Sequence, residues 1–154
     1  MTETIKNCKL TLHIVRSYLR KESIMALFTK CILESPEPQD GIRISIMSRH
    51  TLSDGITPDA RIQKFDIHMP ILGPSPKLIG DYCKRGISWA EFETRYLNEI
   101  KQEPKCSLIN YLACLAIKND VTLLCIEETC EHCHRRLLAE ACQLFIPKLL
   151  IKHR

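Results

Sequence analysis

The stretch Val121-Thr122-Leu123-Leu124-Cys125-Ile126-Glu127-Glu128-Thr129-Cys130-Glu131-His132-Cys133-His134-Arg135 decides the fold class. Its first six residues make a near-continuous apolar run after a turn at Asn119, the mark of a strand covered on both faces. A helical pattern follows at once, predicted from about Glu131 to Ile146 and stopped by Pro147. Strands buried on both faces belong to parallel sheets with helices packed on them. The expectation is a layered (three-layer, Rossmann-like) α/β fold with a mainly parallel central sheet.

Upstream segments agree. Met25–Leu33 reads as an apolar strand, ended by the loop Ser35-Pro36-Glu37-Pro38-Gln39-Asp40-Gly41, and Ile42–Met47 as a second strand. Residues 48–76 are irregular, with a short strand expected within Gln63–Met69. Asp54, Asp59, Asp66 and His68 in this stretch would supply acids or bases if it closed as a lid. Helices are predicted over Lys77–Lys84, stopping at Gly86, and over Ser107–Lys118. Between them Ser88-Trp89-Ala90-Glu91 spells a capping box. Trp89, Phe92, Tyr96, Leu97 and Ile100 then recur at helical spacing as a core stripe. Three parts follow: a helical N-terminal extension over 1–24, one domain over 25–147, and a basic C-terminal tail over 148–154.

The 154 residues suffice for one domain with its own core. Net charge is +4, from 22 basic and 18 acidic residues, a bias compatible with an anionic ligand but well short of a nucleic-acid footprint. Nine cysteines would suit a disulfide scaffold in a secreted chain, yet the number is odd. Cys83, Cys114, Cys125 and Cys142 also sit in apolar runs, where thiols behave as small hydrophobes. The amino-terminal stretch lacks the form of a signal peptide, and no apolar run is long enough to span a membrane. Reduced thiols and a cytoplasmic location are expected.

Cys130-Glu131-His132-Cys133-His134 matches the haem-attachment pattern, but that chemistry needs export and a haem-sized pocket. As a redox pair, Cys130 and Cys133 lack the aromatic and glycine or proline setting of thioredoxin-like sites. Cys130 and Arg136 have the spacing of a phosphatase loop, without the glycines that free its amides. Cys125, Cys130, Cys133 and a histidine have zinc-ligand character, but a distant second pair is missing. With Thr129 as cap, Cys130 and His134 face inward, Cys133 and Arg135 lie at the margins of that face, and Arg136 points to water. Arg135 has an alternative partner in Glu131, one turn earlier.

The run ending in Leu124-Cys125, the acidic Glu127 and Cys133-His134-Arg135 resemble the signature of the domain of unknown function 488 family, which includes the YeaO-like proteins. Asp40-Gly41-Ile42-Arg43-Ile44, Ser48–Gly55 and Ser88–Leu97 resemble the same family in the same order. The resemblance spans about residues 25–145 and implies no reaction. Read from the residues, ligands of parallel sheets bind beyond the carboxyl ends of the strands, where the helix start favours anions. The candidate site is therefore Cys133 and His134 as catalytic groups, with Arg49, His50, Cys125, Glu127 and Arg135 as ligand-binding groups and no metal. No cofactor is specified. Two functions stay open. One is binding of, or catalysis on, a small anionic and possibly nucleotide-like ligand. The other is a non-enzymatic nucleic-acid or protein interaction module with structural cysteines. Oligomeric state is not specified, and no membrane partner is expected.

Overall fold

Val121–Cys125 is the strand its sequence predicts: all five residues are buried, and hydrogen-bonded neighbours lie on both sides. The computed structural model describes residues 25–154, and the helix expected over 1–24 lies outside the described residues. In chain order the elements are β1 (Ala26–Cys31), β2 (Ile42–Ser45), β3 (Ile67–His68), α1 (Pro76–Arg85), α2 (Trp89–Ile100), α3 (Lys105–Ala116), β4 (Val121–Cys125), α4 (His134–Phe145) and β5 (Leu150–His153). The sheet order is β3-β2-β4-β1-β5, and every described pairing is parallel. This is the three-layer α/β fold expected from the apolar β4 run.

Topology explains where the layers go. From β1 the chain steps to β2 and then β3, in one direction along the sheet; from β3 it steps back to β4 and then β5. Parallel crossovers are right-handed, so steps in opposite directions fall on opposite faces. The returning steps carry all four helices, and their apolar sides meet Leu27, Ile44, Val121 and Leu123 in one core. The outgoing step carries the 32–41 connection, whose Asp40 carbonyl accepts a hydrogen bond from Thr122 Oγ1 at 2.6 Å. Gly41 makes that connection possible, with φ +60 and a position where a Cβ would lie 2.0 Å from the Asp120 carbonyl oxygen.

Helix starts follow local chemistry. Ser75 accepts a hydrogen bond from Leu78 N to cap α1, with Pro76 in the first turn, and Gly86 closes the helix in the left-handed region. Ser88 caps α2 through Glu91 N as the capping box predicts, while the Glu91 carboxylate faces Arg95. The aromatic stripe is core at Phe92 and Tyr96. The third strand shrinks to Ile67–His68, and α3 starts at Lys105, two residues before the expected Ser107.

Three expectations are corrected. Residues 148–154 are not a tail: Leu149 is buried and Leu150–His153 pair with β1 as the sheet's edge strand. The basic residues around Leu149-Leu150-Ile151 disguised a short apolar strand. The last helix starts at His134 with Cys133 as its cap, rather than at Glu131 with Thr129 capping. Cys83 and Cys114, expected to behave as small hydrophobes, are exposed, and Cys83 lies at the rim of the cavity described below. No helix among the described residues is long and apolar enough to cross a membrane.

Candidate functional site

β2 and β4 are neighbours, but the chain leaves β2 towards β3 on one side and leaves β4 towards β5 on the other. Adjacent strands with diverging connections leave a crevice beyond their carboxyl ends, the place where open α/β sheets bind ligands. A cavity of about 260 Å³ occupies it. Met47, Ser48, Arg49 and Thr51 line it from the β2 side, and Cys125, Ile126 and Glu127 from the β4 side. Tyr82 of α1 and Trp89 and Phe92 of α2 form an aromatic wall, extended by His132 with ring centroids 5.1 Å from Trp89.

Beneath this wall Cys125, Glu127, Cys133 and His134 place their sulfur, oxygen and nitrogen atoms within 4.8 Å of one another. Strand β4 ends at Cys125, helix α4 begins at His134, and the intervening loop folds Glu127 back between them. The Cys125 thiol lies 2.8 Å and the Cys133 thiol 3.1 Å from Glu127 Oε2. Cys125 Sγ is 3.8 Å from His134 Nδ1. His134 Nε2 lies 3.4 Å from the Ile46 carbonyl oxygen, and the ring meets Tyr96 edge-on.

The acids of this cluster differ sharply. Cys133 is lowered to about 6 by the Cys125 thiol hydrogen bond and by His134, against the opposing effect of burial. Contact with Cys133, together with burial and the nearby Glu127, pushes Cys125 well above the ordinary thiol range. Burial works to raise Glu127, but the two thiol hydrogen bonds hold it below the usual carboxylate range. Cys133 also caps α4: its sulfur accepts from Arg135 N at 3.5 Å and faces the Arg135 guanidinium at 3.7 Å. A helix start and a guanidinium both favour the thiolate.

The seven predicted site residues fall into three groups. Arg49, Cys125, Glu127 and His134 line the cavity. Cys133 lies below the floor, fully buried rather than at the margin of the helix. His50 and Arg135 are turned elsewhere. His50 Nε2 pairs with Ser45 Oγ at 2.7 Å and its ring packs on Phe65 and His68. Burial and the adjacent His68 push its pKa down. Arg135 has no solvent exposure and donates to the carbonyl oxygens of Glu127 and Glu128, so it braces the loop instead of pairing with Glu131. Cys130 is outside the cluster.

Tyr82, Trp89, Phe92 and His132 carry no motif that marks them as cavity residues. Trp89 and Phe92 were legible only as members of the helical stripe, whose outer edge becomes the wall, and nothing in the sequence marked Tyr82 or His132. The acids of 48–76 serve their own turns: Asp54 accepts from Ile56 N and Thr57 N, Asp59 pairs with Arg61, and Asp66 accepts from Arg43 N. His68 bonds the Met47 carbonyl.

The family model DUF488-N3a, described as the active DUF488-N3 subclade, matches residues 27–144. No curated protein and no solved structure matches the chain.

Proposed function

This chain belongs to the DUF488 family, and on that premise we propose that the crevice between β2 and β4 binds a small ligand with a flat body and an anionic group. The observation that carries this reading is the aromatic-walled cavity at the switch point, with Cys125, Glu127 and His134 at its floor. Its volume of about 260 Å³ is just below the range of ligand pockets, roughly 300–1,000 Å³, and suits a nucleotide-sized fragment better than a dinucleotide. Tyr82, Trp89 and Phe92 offer ring faces for a flat group.

Arg49 is the anion-holding candidate. It lines the cavity, and its charge also acts on Asp54. In this reading His134 transfers protons at the cavity floor, and Cys133 acts from beneath it, setting the charge of the Cys125–Glu127 pair. Arg135 and His50 position the loop and the β2 end. The subclade's description as active accords with a chemical role for this cluster.

Calorimetric titration with a panel of nucleoside monophosphates, using the parent nucleosides and inorganic phosphate as controls, tests the proposal. At least one monophosphate should bind more tightly than its nucleoside. Arg49→Ala should then weaken binding about ten- to a hundred-fold, the worth of a charge-assisted hydrogen bond of about 1.5–3 kcal/mol. No binding across the panel, or binding indifferent to Arg49→Ala, overturns it. Salt-sensitive retention on DNA or RNA without small-ligand binding would favour the interaction-module reading instead.

A further inference from the structure

We infer that Cys125, Glu127, Cys133 and His134 form a site for one zinc ion at the floor of the crevice. Two sulfurs, one imidazole nitrogen and one carboxylate oxygen are a borderline-soft donor set, which suits zinc and disfavours magnesium or calcium. The four atoms already lie within 4.8 Å of one another. Around a tetrahedral ion with bonds of about 2.0–2.3 Å, donors sit roughly 3.3–3.8 Å apart. Cys125 Sγ and His134 Nδ1, at 3.8 Å, have that separation. The two sulfur–carboxylate contacts, 2.8 and 3.1 Å, are shorter, as hydrogen-bonded pairs are. Binding would displace to solvent whatever protons the ligands still hold, and the donors would spread slightly.

The surroundings are those of a supported metal centre. His134 Nε2 faces the Ile46 carbonyl at 3.4 Å, and Cys125 Sγ lies 3.8 Å from Nδ1 and 3.9 Å from Nε2, so a rotation of the ring that keeps the Ile46 contact would bring Nδ1 to the metal. Metal-binding histidines are oriented in this way by a backbone acceptor on the second nitrogen. Arg135 fixes the loop through the Glu127 and Glu128 carbonyls and faces the Cys133 sulfur. Glu127 is the exposed member and lines the cavity, so it is the ligand that would exchange with water or substrate.

The donor set is Cys-x-Glu-x5-Cys-His. Sequence spacing pointed to Cys130, which the structure leaves out, and gave no metal role to Glu127. Charge supplies an independent reason for a cation here. Arg49 is the one Lys or Arg side chain among the cavity's lining residues, while Glu127 and the thiols occupy the floor. With both thiols and Glu127 ionised the donor set carries three negative charges, and a bound divalent ion would offset two of them.

With zinc bound, His134 would be a ligand and no longer the proton carrier of the proposed function; the anion-binding reading at Arg49 is unchanged, and the inference can fail separately from it, because metal uptake needs no organic ligand. The test is elemental analysis of the full-length chain after exposure to zinc and desalting, together with the absorption spectrum of the cobalt-substituted protein. One equivalent of zinc per chain is expected, with a thiolate-to-cobalt charge-transfer band and tetrahedral visible bands. Cys133→Ser and His134→Ala should each lower retained metal at least tenfold, and Cys130→Ser should retain it fully. Should Cys133→Ser fail to fold, the unsubstituted protein's cobalt spectrum decides: a sulfur charge-transfer band supports the site, and its absence overturns it. No zinc uptake, or metal lost on Cys130→Ser but kept on His134→Ala, also overturns it.

Discussion

Asp40 has no solvent exposure and stands among three cations. Arg43 pairs with it directly, Lys30 Nζ lies at 3.4 Å and Arg154 at 3.1 Å. Burial alone would raise its pKa, but the Glu37 amide, Arg43 and Lys30 outweigh it and hold the carboxyl below its ordinary 3.8. A depressed folded-state value means the stabilisation is complete above the unfolded pKa and is lost as pH falls through the folded one. Asp40→Asn should cost about 3–5 kcal/mol near neutrality, because Lys30 and Arg43 stay buried without their shared partner. Urea midpoints followed from pH 7 to pH 2 should show the gap between parent and variant closing only below about pH 4. A gap that does not narrow there would contradict this account. At the same scale, Cys133, His134 and Arg135 are adjacent in sequence but serve three purposes. One caps a helix and sits under the cavity, one lines the cavity, and one braces a loop. Helical periodicity could not separate them, because the helix begins at His134 and the residues before it obey no 3.6-residue rule.

Among the elements, β5 was the least legible. Only Leu149, Leu150 and Ile151 signal a strand there, and four of the seven residues from 148 to 154 are Lys, His or Arg. Its pairing with β1 is supplemented by Thr29 Oγ1 against His153 Nδ1 at 2.9 Å, and by the Arg154 guanidinium 3.8 Å from the Phe28 ring centroid. Deleting residues 149–154 should cost at least about 3 kcal/mol, from the lost Leu149 burial and cation–π contact, before counting the backbone pairing. It would also bare the β1 edge, which invites self-association. Urea unfolding and sedimentation velocity check both. A truncated chain within about 1 kcal/mol of the parent and still monodisperse would make β5 dispensable. By contrast, β4 and α2 were legible from sequence, since an unbroken apolar run and a serine cap with an aromatic stripe each leave one choice.

For the whole molecule, the order β3-β2-β4-β1-β5 makes β4 the middle strand and leaves β3 and β5 at the edges. Amides of β4, paired with β1 and β2 and wholly buried, should exchange with deuterium only on global unfolding. Those of Ile67 and His68 in the two-residue β3 should exchange through local opening, at least a hundredfold faster. Mass-spectrometric exchange resolves the two, and comparable rates would mean the sheet does not open from its edges. The same order sets the site, because diverging connections from β2 and β4 leave their ends uncovered. Arg49 and His50 after β2 and Cys125 and Glu127 at the end of β4 were legible as site candidates without the strand order that makes them neighbours.

The α/β class, the buried central strand, the family resemblance and the junction where the cysteines and histidine gather were all legible in the chain. These depend on local rules: apolar period, capping chemistry and residue type within a few positions. Which side chains meet was left to the fold. It turned Glu127 back onto Cys125 and Cys133, left Cys130 outside, moved His50 and Arg135 into supporting roles, and brought Tyr82 and Trp89 to the cavity wall. The reason is physical. An irregular eight-residue loop between β4 and α4 has no period to read, and its path is fixed by the hydrogen bonds it finds in the assembled core. The junction is therefore written in the chain, and its donor set is written in the fold.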